Sequence, residues 1–125
     1  MLFTSLRKRR VLVVEDDYLQ ASDMAAALEV HGSSVVGPFP SVEDGIRAVD
    51  DGIEAAILDI RLDNDLVYAV ADVLRSRNLP FIFVTGYDDV VPDRFQRVRR
   101  VMKPCRPDAA VLTLAVAIAE HRTSH

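Results

Sequence analysis

Five residues of types that handle phosphate groups and divalent cations are scattered over almost 90 positions of the sequence. They comprise three acids, one hydroxyl residue and one lysine: Glu15, Asp16, Asp59, Thr85 and Lys103. Carboxylates, carbonyl groups and water are the ligands that a hard cation such as Mg²⁺ prefers. A carboxylate can also accept a phosphoryl group as a nucleophile, while positive charge and a hydroxyl donor stabilise the transferred group. Together these residue types indicate phosphoryl transfer with Mg²⁺, provided that the fold brings them together.

Short apolar runs precede these residues and are typical of buried strands. The five runs lie at residues 11–14, 34–37, 55–58, 81–84 and 98–102. Helical patterns separate the runs, as where Ala21, Met24, Ala25 and Leu28 follow the spacing of one helix face. This alternation predicts an α/β fold with five β/α units and a parallel sheet covered by helices. Because loops at the carboxyl ends of parallel strands form the ligand crevice, we expect the five residues to converge at one edge.

Each candidate residue also has an ordinary structural explanation when it is taken alone. Acidic residues after a strand often cap the next helix, as we expect for Asp17, and Asp59 could be a simple turn residue. Thr85 could serve turn geometry, and Lys103 could be a solvated surface lysine. Their joint occurrence at four strand ends favours a shared phosphoryl site over four separate explanations.

Composition narrows the classes of protein to which the chain can belong. Its 125 residues, 50% apolar and 27% charged, predict a single globular domain. A formal net charge of −4 argues against direct DNA binding, which uses basic surfaces. The single cysteine, Cys105, cannot form an internal disulfide and suggests a reducing, cytoplasmic setting. The sequence contains no apolar run of the length that predicts membrane insertion.

The pattern of motifs resembles the response-regulator receiver domain of two-component signalling. The matching segments are VLVVEDD at 11–17, ILD at 57–59, FVTG at 83–86 and KP at 103–104. The resemblance implies a flavodoxin-like, doubly wound (βα)5 fold with strand order 2-1-3-4-5. We expect a receiver domain at residues 10–121, a frayed N-terminal extension at 1–9 and a tail at 122–125, with no attached output domain.

The resemblance also implies a set of metal ligands around the phosphoacceptor. Asp16 and Asp59 would bind Mg²⁺ through their side chains, and the backbone carbonyl of Arg61 would be a third protein ligand. Glu15 would act through a water molecule.

Asp59 would accept the phosphoryl group, Lys103 would form an ion pair with it, and Thr85 would donate a hydrogen bond to it. The phosphoryl donor would be a sensor histidine kinase or a histidine phosphotransfer protein, and the signal would pass to a downstream protein target. The chain would then be a switch that promotes its own phosphorylation and dephosphorylation, with no external substrate.

A narrower resemblance concerns residues 81–87, which are similar to the F-x-T-G-Y segment of stand-alone α-proteobacterial receivers. Those receivers are often paired with kinases of the HWE or a related type. The sequence departs from chemotaxis-type receivers at Arg100, where they carry the aromatic residue that moves on activation. Tyr87 either takes over that switch role or only packs the loop. The weak helical pattern at 87–96 predicts either an irregular segment or one that orders on phosphorylation.

Two other functions deserve comparison with the phosphorylated switch. A phosphorylation-independent adaptor with the same fold is an alternative, although the intact set of five residues argues against it. A Mg²⁺ phosphatase usually has a second aspartate close to the nucleophile, and residues 59–61 (DIR) lack one. Within the switch class, a relay intermediate, a phosphate sink and an allosteric regulator all remain open.

Overall fold

Five parallel strands form the central sheet of the computed structural model, which describes residues 2–124. The strands are β1 (Arg10–Val14), β2 (Ser34–Phe39), β3 (Ala55–Asp59), β4 (Phe81–Thr85) and β5 (Arg100–Met102). Their order is β2-β1-β3-β4-β5, and every pairing is parallel. The predicted flavodoxin-like fold and its strand order are therefore confirmed.

Four α-helices cover the two faces of the sheet within residues 2–124. They are α1 (Tyr18–Val30), α2 (Val42–Val49), α3 (Tyr68–Ser76) and α4 (Pro107–Ser124). The side chain of Asp17 caps α1 by accepting from the Gln20 amide at 3.1 Å, as the sequence predicts. None of these helices offers the continuous apolar length that a bilayer crossing needs.

The sheet separates two apolar layers. One layer packs α2 and α3 against the strands and includes Leu58, Leu74 and Phe83. The other packs α1 and α4 against the opposite face and includes Leu28 and Leu114. Strands β3 and β4 are buried along their whole length, which explains why their sequences are continuous apolar runs.

The fourth connection differs from the other crossovers because it contains no α-helix. Residues 86–99, which we call the β4–β5 connector, form only a single 3₁₀ turn at Asp93–Phe95. Pro92 removes a backbone donor at this point, and few apolar residues recur at helical spacing. The irregular form is compatible with both interpretations of the weak helical pattern. Within residues 2–124 the central sheet therefore has five strands but only four flanking α-helices.

The N-terminal segment packs against the domain, so the prediction of a frayed extension is wrong for residues 2–9. Leu2–Leu6 forms a 3₁₀ helix, and the Leu6 side chain is fully buried against α1 and α4. The Ser33 hydroxyl donates to the Leu6 carbonyl at 2.7 Å, and the Lys8 amide donates to the Gly32 carbonyl at 2.8 Å. At the other end α4 continues to Ser124, through most of the predicted tail.

Two loops contain more regular structure than the sequence predicts. Strand β2 continues past Gly37 to Phe39 with a register shift, and Gly37 adopts a φ of +99° that suits glycine. An edge strand tolerates the following proline, because no neighbouring strand needs the backbone N–H that proline lacks. After β3, residues Arg61–Leu62 and Asp65–Leu66 pair as a short antiparallel hairpin, which buries Leu62.

Candidate functional site

The carboxyl ends of β1, β3, β4 and β5 meet at one edge of the sheet and carry the five candidate residues. Glu15 and Asp16 follow β1, Asp59 ends β3, Thr85 ends β4 and Lys103 follows β5. Glu15, Asp59 and Thr85 are buried, whereas Asp16 is exposed at the rim. The arrangement follows from the parallel topology, which aligns the strand ends regardless of their separation along the chain.

The ion pair between Asp59 and Lys103 forms the floor of the site. Lys103 Nζ donates to Asp59 Oδ2 at 3.0 Å and lies 3.4 Å from Glu15 Oε1. Burial lowers the pKa of Lys103, but its hydrogen bond and charge attraction to Asp59, helped by Glu15, raise the pKa above its ordinary value. Lys103 is therefore held as a cation against the carboxylate that sequence reasoning singles out as the phosphoacceptor.

Three carboxyl groups crowd around a small space beside this lysine. One oxygen atom from each of Glu15, Asp16 and Asp59 lies within 4.8 Å of the other two. Burial, then the hydrogen bonding and negative charge of Asp59, raise the pKa of Glu15 from 4.5 to about 8. The Asp17 amide and Lys103 oppose this rise but do not cancel it. One ammonium group thus fails to balance the cluster, and the donor set fits an additional divalent cation.

Backbone amides hold two of these carboxylates in place. The Asp17 amide donates to Glu15 Oε2 at 3.2 Å, and the Asp63 amide donates to Asp16 Oδ2 at 2.5 Å. The second bond links the β1–α1 loop to the hairpin that follows β3. Arg61 lies in that same hairpin, so the residue whose carbonyl is the expected third ligand belongs to the segment anchored by Asp16.

Thr85 closes the site on the side of β4 and β5. Its side chain is buried, and its carbonyl accepts from the Lys103 amide at 2.7 Å. That backbone bond joins the end of β4 to the segment that carries the lysine. Thr85 therefore lies at the strand end next to that of Asp59, whose partner in the sheet register is the preceding Val84.

Sequence reasoning missed one part of the site, the carboxylate of Asp89. Its Oδ1 accepts from Arg61 Nε at 3.2 Å, and its Oδ2 accepts from the Gly86 amide at 2.5 Å. Nothing in the local pattern marks Asp89, because it lies in a polar stretch beside Asp88 and its partner Arg61 is 28 positions away.

The two candidate switch residues adopt different positions from those expected of an inward-moving aromatic. Tyr87 is 88% exposed, so it does not pack the loop in this structure. Arg100 is half-buried, and its guanidinium donates to carbonyl groups of the connector, including that of Gln96 at 2.8 Å. In this conformation Arg100 therefore stabilises the connector by hydrogen bonding to its backbone.

The fold and this edge cluster define a class of small α/β proteins with an acid–lysine site at the carboxyl ends of a parallel sheet. No protein-family model matches the chain. The signal receiver domain of a modulated diguanylate cyclase from Desulfovibrio desulfuricans G20 is 30% identical, with a TM-score of 0.78. The alignment covers 94% of this chain and 99% of that one. SdrG from Sphingomonas melonis Fr1 is 35% identical with a TM-score of 0.74, covering 86% of this chain and 96% of SdrG.

A curated relative points to the same family. The phyllosphere-induced regulator PhyR of Methylorubrum extorquens is 28% identical over 130 residues, which is 92% of this chain and 47% of PhyR. The chain thus spans about half the length of that relative. From these similarities and the confirmed fold, the chain belongs to the response-regulator receiver domains of two-component signalling.

Proposed function

We propose that Asp59 accepts a phosphoryl group and that the phosphorylated chain passes a signal to a protein partner. The observation that carries the proposal is the 3.0 Å contact of Lys103 with Asp59 inside the three-carboxylate cluster. A carboxylate oxygen of Asp59 would bond to phosphorus while the phosphorus–nitrogen bond of a phosphohistidine breaks and the nitrogen leaves with its electron pair.

Glu15, Asp16 and Asp59, with the backbone carbonyl of Arg61, would hold a Mg²⁺ ion. When bound, Mg²⁺ would supply positive charge that neutralises both the crowded carboxylates and the incoming phosphoryl oxygens. The crowding of three carboxyl groups beside a single ammonium group supports this assignment, and burial, then the hydrogen bond and negative charge of Asp59, raise the pKa of Glu15 to about 8. Asp16 is exposed, so the rim offers an open path for a hydrated ion.

Lys103 and Thr85 would recognise the transferred group from opposite sides. Lys103 already lies against the acceptor carboxylate and would retain an ion pair with the phosphoryl group. The hydroxyl of Thr85 would donate a hydrogen bond to a phosphoryl oxygen, which draws the start of the connector toward Asp59. The connector would then change its exposed surface, where Tyr87 and Val90 are 88% and 82% exposed.

The phosphoryl donor would be a histidine kinase, of the HWE or a related type, or a histidine phosphotransfer protein in the cytoplasm. Exposed apolar side chains beside the acidic rim support docking of such a partner, since Tyr18 and Leu19 are 80% and 73% exposed at the start of α1. The downstream target would be a protein that reads the connector. We propose no direct contact with DNA, in line with the net charge of −4.

The decisive experiment is intact-protein mass spectrometry after incubation with acetyl phosphate. We expect a single hydroxylamine-labile phosphoryl adduct that requires Mg²⁺ and disappears in Asp59→Asn. Glu43→Gln is the matched control, because Glu43 has an exposed carboxylate near Asp16 that lies outside the cluster. That variant should form the adduct at the wild-type level.

Three results would contradict the proposal. An adduct that persists in Asp59→Asn would place the phosphoryl group elsewhere. The absence of any adduct, together with no Mg²⁺ binding in a calorimetric titration, would instead support the phosphorylation-independent adaptor. Turnover of a small phosphate ester would indicate an enzyme.

A further inference from the structure

The carboxylate of Asp89 is almost completely enclosed at the start of the β4–β5 connector. Only 3% of its side chain is exposed, and its two oxygens have separate partners. Oδ2 accepts from the Gly86 amide at 2.5 Å, and Oδ1 lies 3.1 Å from Arg61 Nη2. A buried carboxylate is costly unless it is paired and hydrogen-bonded, so both partners matter to its placement.

These two partners belong to the two loops that approach the acceptor. Arg61 lies two residues after Asp59, and Gly86 directly follows Thr85. Among the residues that the structure describes, Arg61 is the one cation paired with Asp89. The carboxylate therefore bridges the loop that carries the phosphoacceptor and the loop that carries the hydroxyl.

We propose that Asp89 is a positioning residue for phosphoryl transfer, which fixes the Thr85–Gly86 peptide relative to Asp59, and that Arg61 is the counter-ion that keeps Asp89 in place. This inference rests on the proposed function, because it assigns a role in the reaction at Asp59. Asp89 does not belong to the three-carboxylate cluster, and it contacts the guanidinium of Arg61 and not the carbonyl proposed as a metal ligand, so we assign its role to the Thr85–Gly86 peptide.

The geometry explains how a single carboxylate can restrain the backbone that carries the Thr85 hydroxyl. The Asp89 amide also donates to the Gly86 carbonyl at 3.3 Å, so residues 86–89 form a closed turn with both groups of Gly86 engaged. With Thr85 buried at the end of β4 and Gly86 held on its other side, the Thr85 backbone has little freedom. Positioning of this kind increases the rate of phosphoryl transfer, because even a small displacement of a reacting group slows the reaction.

The first experiment compares the rates at which acetyl phosphate modifies the full chain and its Asp89→Asn and Arg61→Gln variants at saturating Mg²⁺. We expect both variants to react about tenfold more slowly. The double variant should be no slower than the slower single variant, because both changes break one linkage. Arg61→Lys, which retains the charge, should recover part of the rate. Hydrogen exchange at the Gly86 amide should accelerate in the two single variants.

Two further measurements distinguish the proposed positioning role from a merely structural one: the Mg²⁺ affinity of the variants and the rate of a matched control variant. The Mg²⁺ dissociation constant should change by less than about twofold, because neither side chain is assigned as a ligand. Asp72→Asn removes another ion pair of the connector, the 3.0 Å contact with Arg94, and should retain the wild-type rate. If Asp89→Asn does not fold, Arg61→Gln still tests the linkage, because the Arg61 side chain is 62% exposed.

The outcomes separate this inference from the function on which it rests. If the wild-type chain forms no adduct, the proposed function fails and the positioning role falls with it. If the wild type reacts and both variants match its rate, only the positioning role is overturned. A loss of Mg²⁺ affinity in proportion to the loss of rate would also overturn it, since Asp89 would then act through the metal.

Discussion

Two neighbouring crossovers of this molecule reach adjacent strands by different means. Helix α3 joins β3 to β4 and buries a continuous apolar face that includes Val70, Ala71 and Leu74. The β4–β5 connector joins β4 to β5 without an α-helix and buries two apolar side chains, Val91 and Phe95. The helix satisfies its backbone groups by its regular internal hydrogen bonds, whereas the connector has few such bonds and relies on side chains for several of its carbonyl groups.

Four side chains supply hydrogen bonds to the carbonyl groups of the connector, and one of them is the Arg75 guanidinium, which donates to the Arg94 carbonyl. The Tyr68 hydroxyl donates to Val90 at 2.7 Å, the Gln96 amide donates to Val91 at 2.6 Å, and the Arg100 guanidinium donates to Gln96 at 2.8 Å. Each bond depends on one residue and can be removed by one substitution. The order of this segment is therefore less cooperative than that of α3.

An aromatic cluster anchors the connector to the sheet and to α3. The ring of Phe95 lies 5.8 Å from Tyr68 and 5.6 Å from Phe83, measured between ring centroids. The guanidinium groups of Arg75 and Arg94 lie 4.8 and 4.6 Å from the Phe95 ring. Phe95 is thus the largest single contact that an otherwise irregular segment makes with the core.

The largest expected effect is that of Phe95→Ala, which removes the anchor of the connector. Because the ring is fully buried, we expect the free energy of unfolding to fall by about 3–5 kcal/mol. Urea unfolding monitored by circular dichroism measures the change. Leu112→Ala, at a side chain that is 42% exposed, is the control and should cost less than about 0.5 kcal/mol. A loss below about 1 kcal/mol for Phe95→Ala would show that the connector is not held by this ring.

Arg100→Gln should loosen the connector while leaving α3 intact. The guanidinium contacts the carbonyl groups of Phe95, Gln96 and Val98, so its removal should cost about 1.5 kcal/mol. Hydrogen exchange measured by mass spectrometry should accelerate in peptides from 86–99 and stay unchanged in those from 68–76. Arg99→Gln breaks an exposed ion pair instead and should leave both regions unchanged. Equal acceleration of hydrogen exchange in the connector and in α3 would contradict the expected difference between the two regions.

Tyr68→Phe tests the hydrogen bond that runs from the Tyr68 hydroxyl, at the start of α3, to the Val90 carbonyl of the connector. Loss of the hydroxyl leaves the Val90 carbonyl without this donor and should cost about 1 kcal/mol in urea unfolding. Tyr18→Phe, at a tyrosine that is 80% exposed, serves as the control and should be neutral. An unchanged stability for Tyr68→Phe would mean that water replaces the hydroxyl.

The smallest effect concerns ionisation of the same hydroxyl. Burial, then the negative charge of Asp89, raise the pKa of Tyr68 above 10.0, although Arg100, Arg61 and Arg94 oppose the rise. The neutral phenol is favoured in the folded state, so its contribution to stability is complete below pH 10 and is lost as the pH rises through the raised pKa. In a Tyr18→Phe, Tyr87→Phe double variant, the midpoint of the tyrosinate absorbance change should therefore lie above pH 10.0. A midpoint at or below that pH would contradict the prediction.

Much of the fold and the placement of the site residues could be predicted from local sequence alone. Continuous apolar runs indicate strands buried on both faces, and Asp17 marks the start of α1. Once the strands are parallel, their carboxyl ends must share one edge, so residues as distant as Glu15 and Lys103 meet. The pattern of apolar residues and the parallel strand topology suffice for this inference, because neither depends on the detailed shape of a side chain.

Only the tertiary structure decided the contacts that depend on side-chain packing across distant segments. Leu6 is buried because it packs against α1 and α4. An extension of nine residues is too short for a periodic apolar pattern that would predict this burial. Asp89 becomes a bridge because the hairpin after β3 brings Arg61 within 3.1 Å. Such pairs join residues tens of positions apart at distances of a few ångströms. Their geometry arises from the packed core, and local sequence patterns carry no record of it.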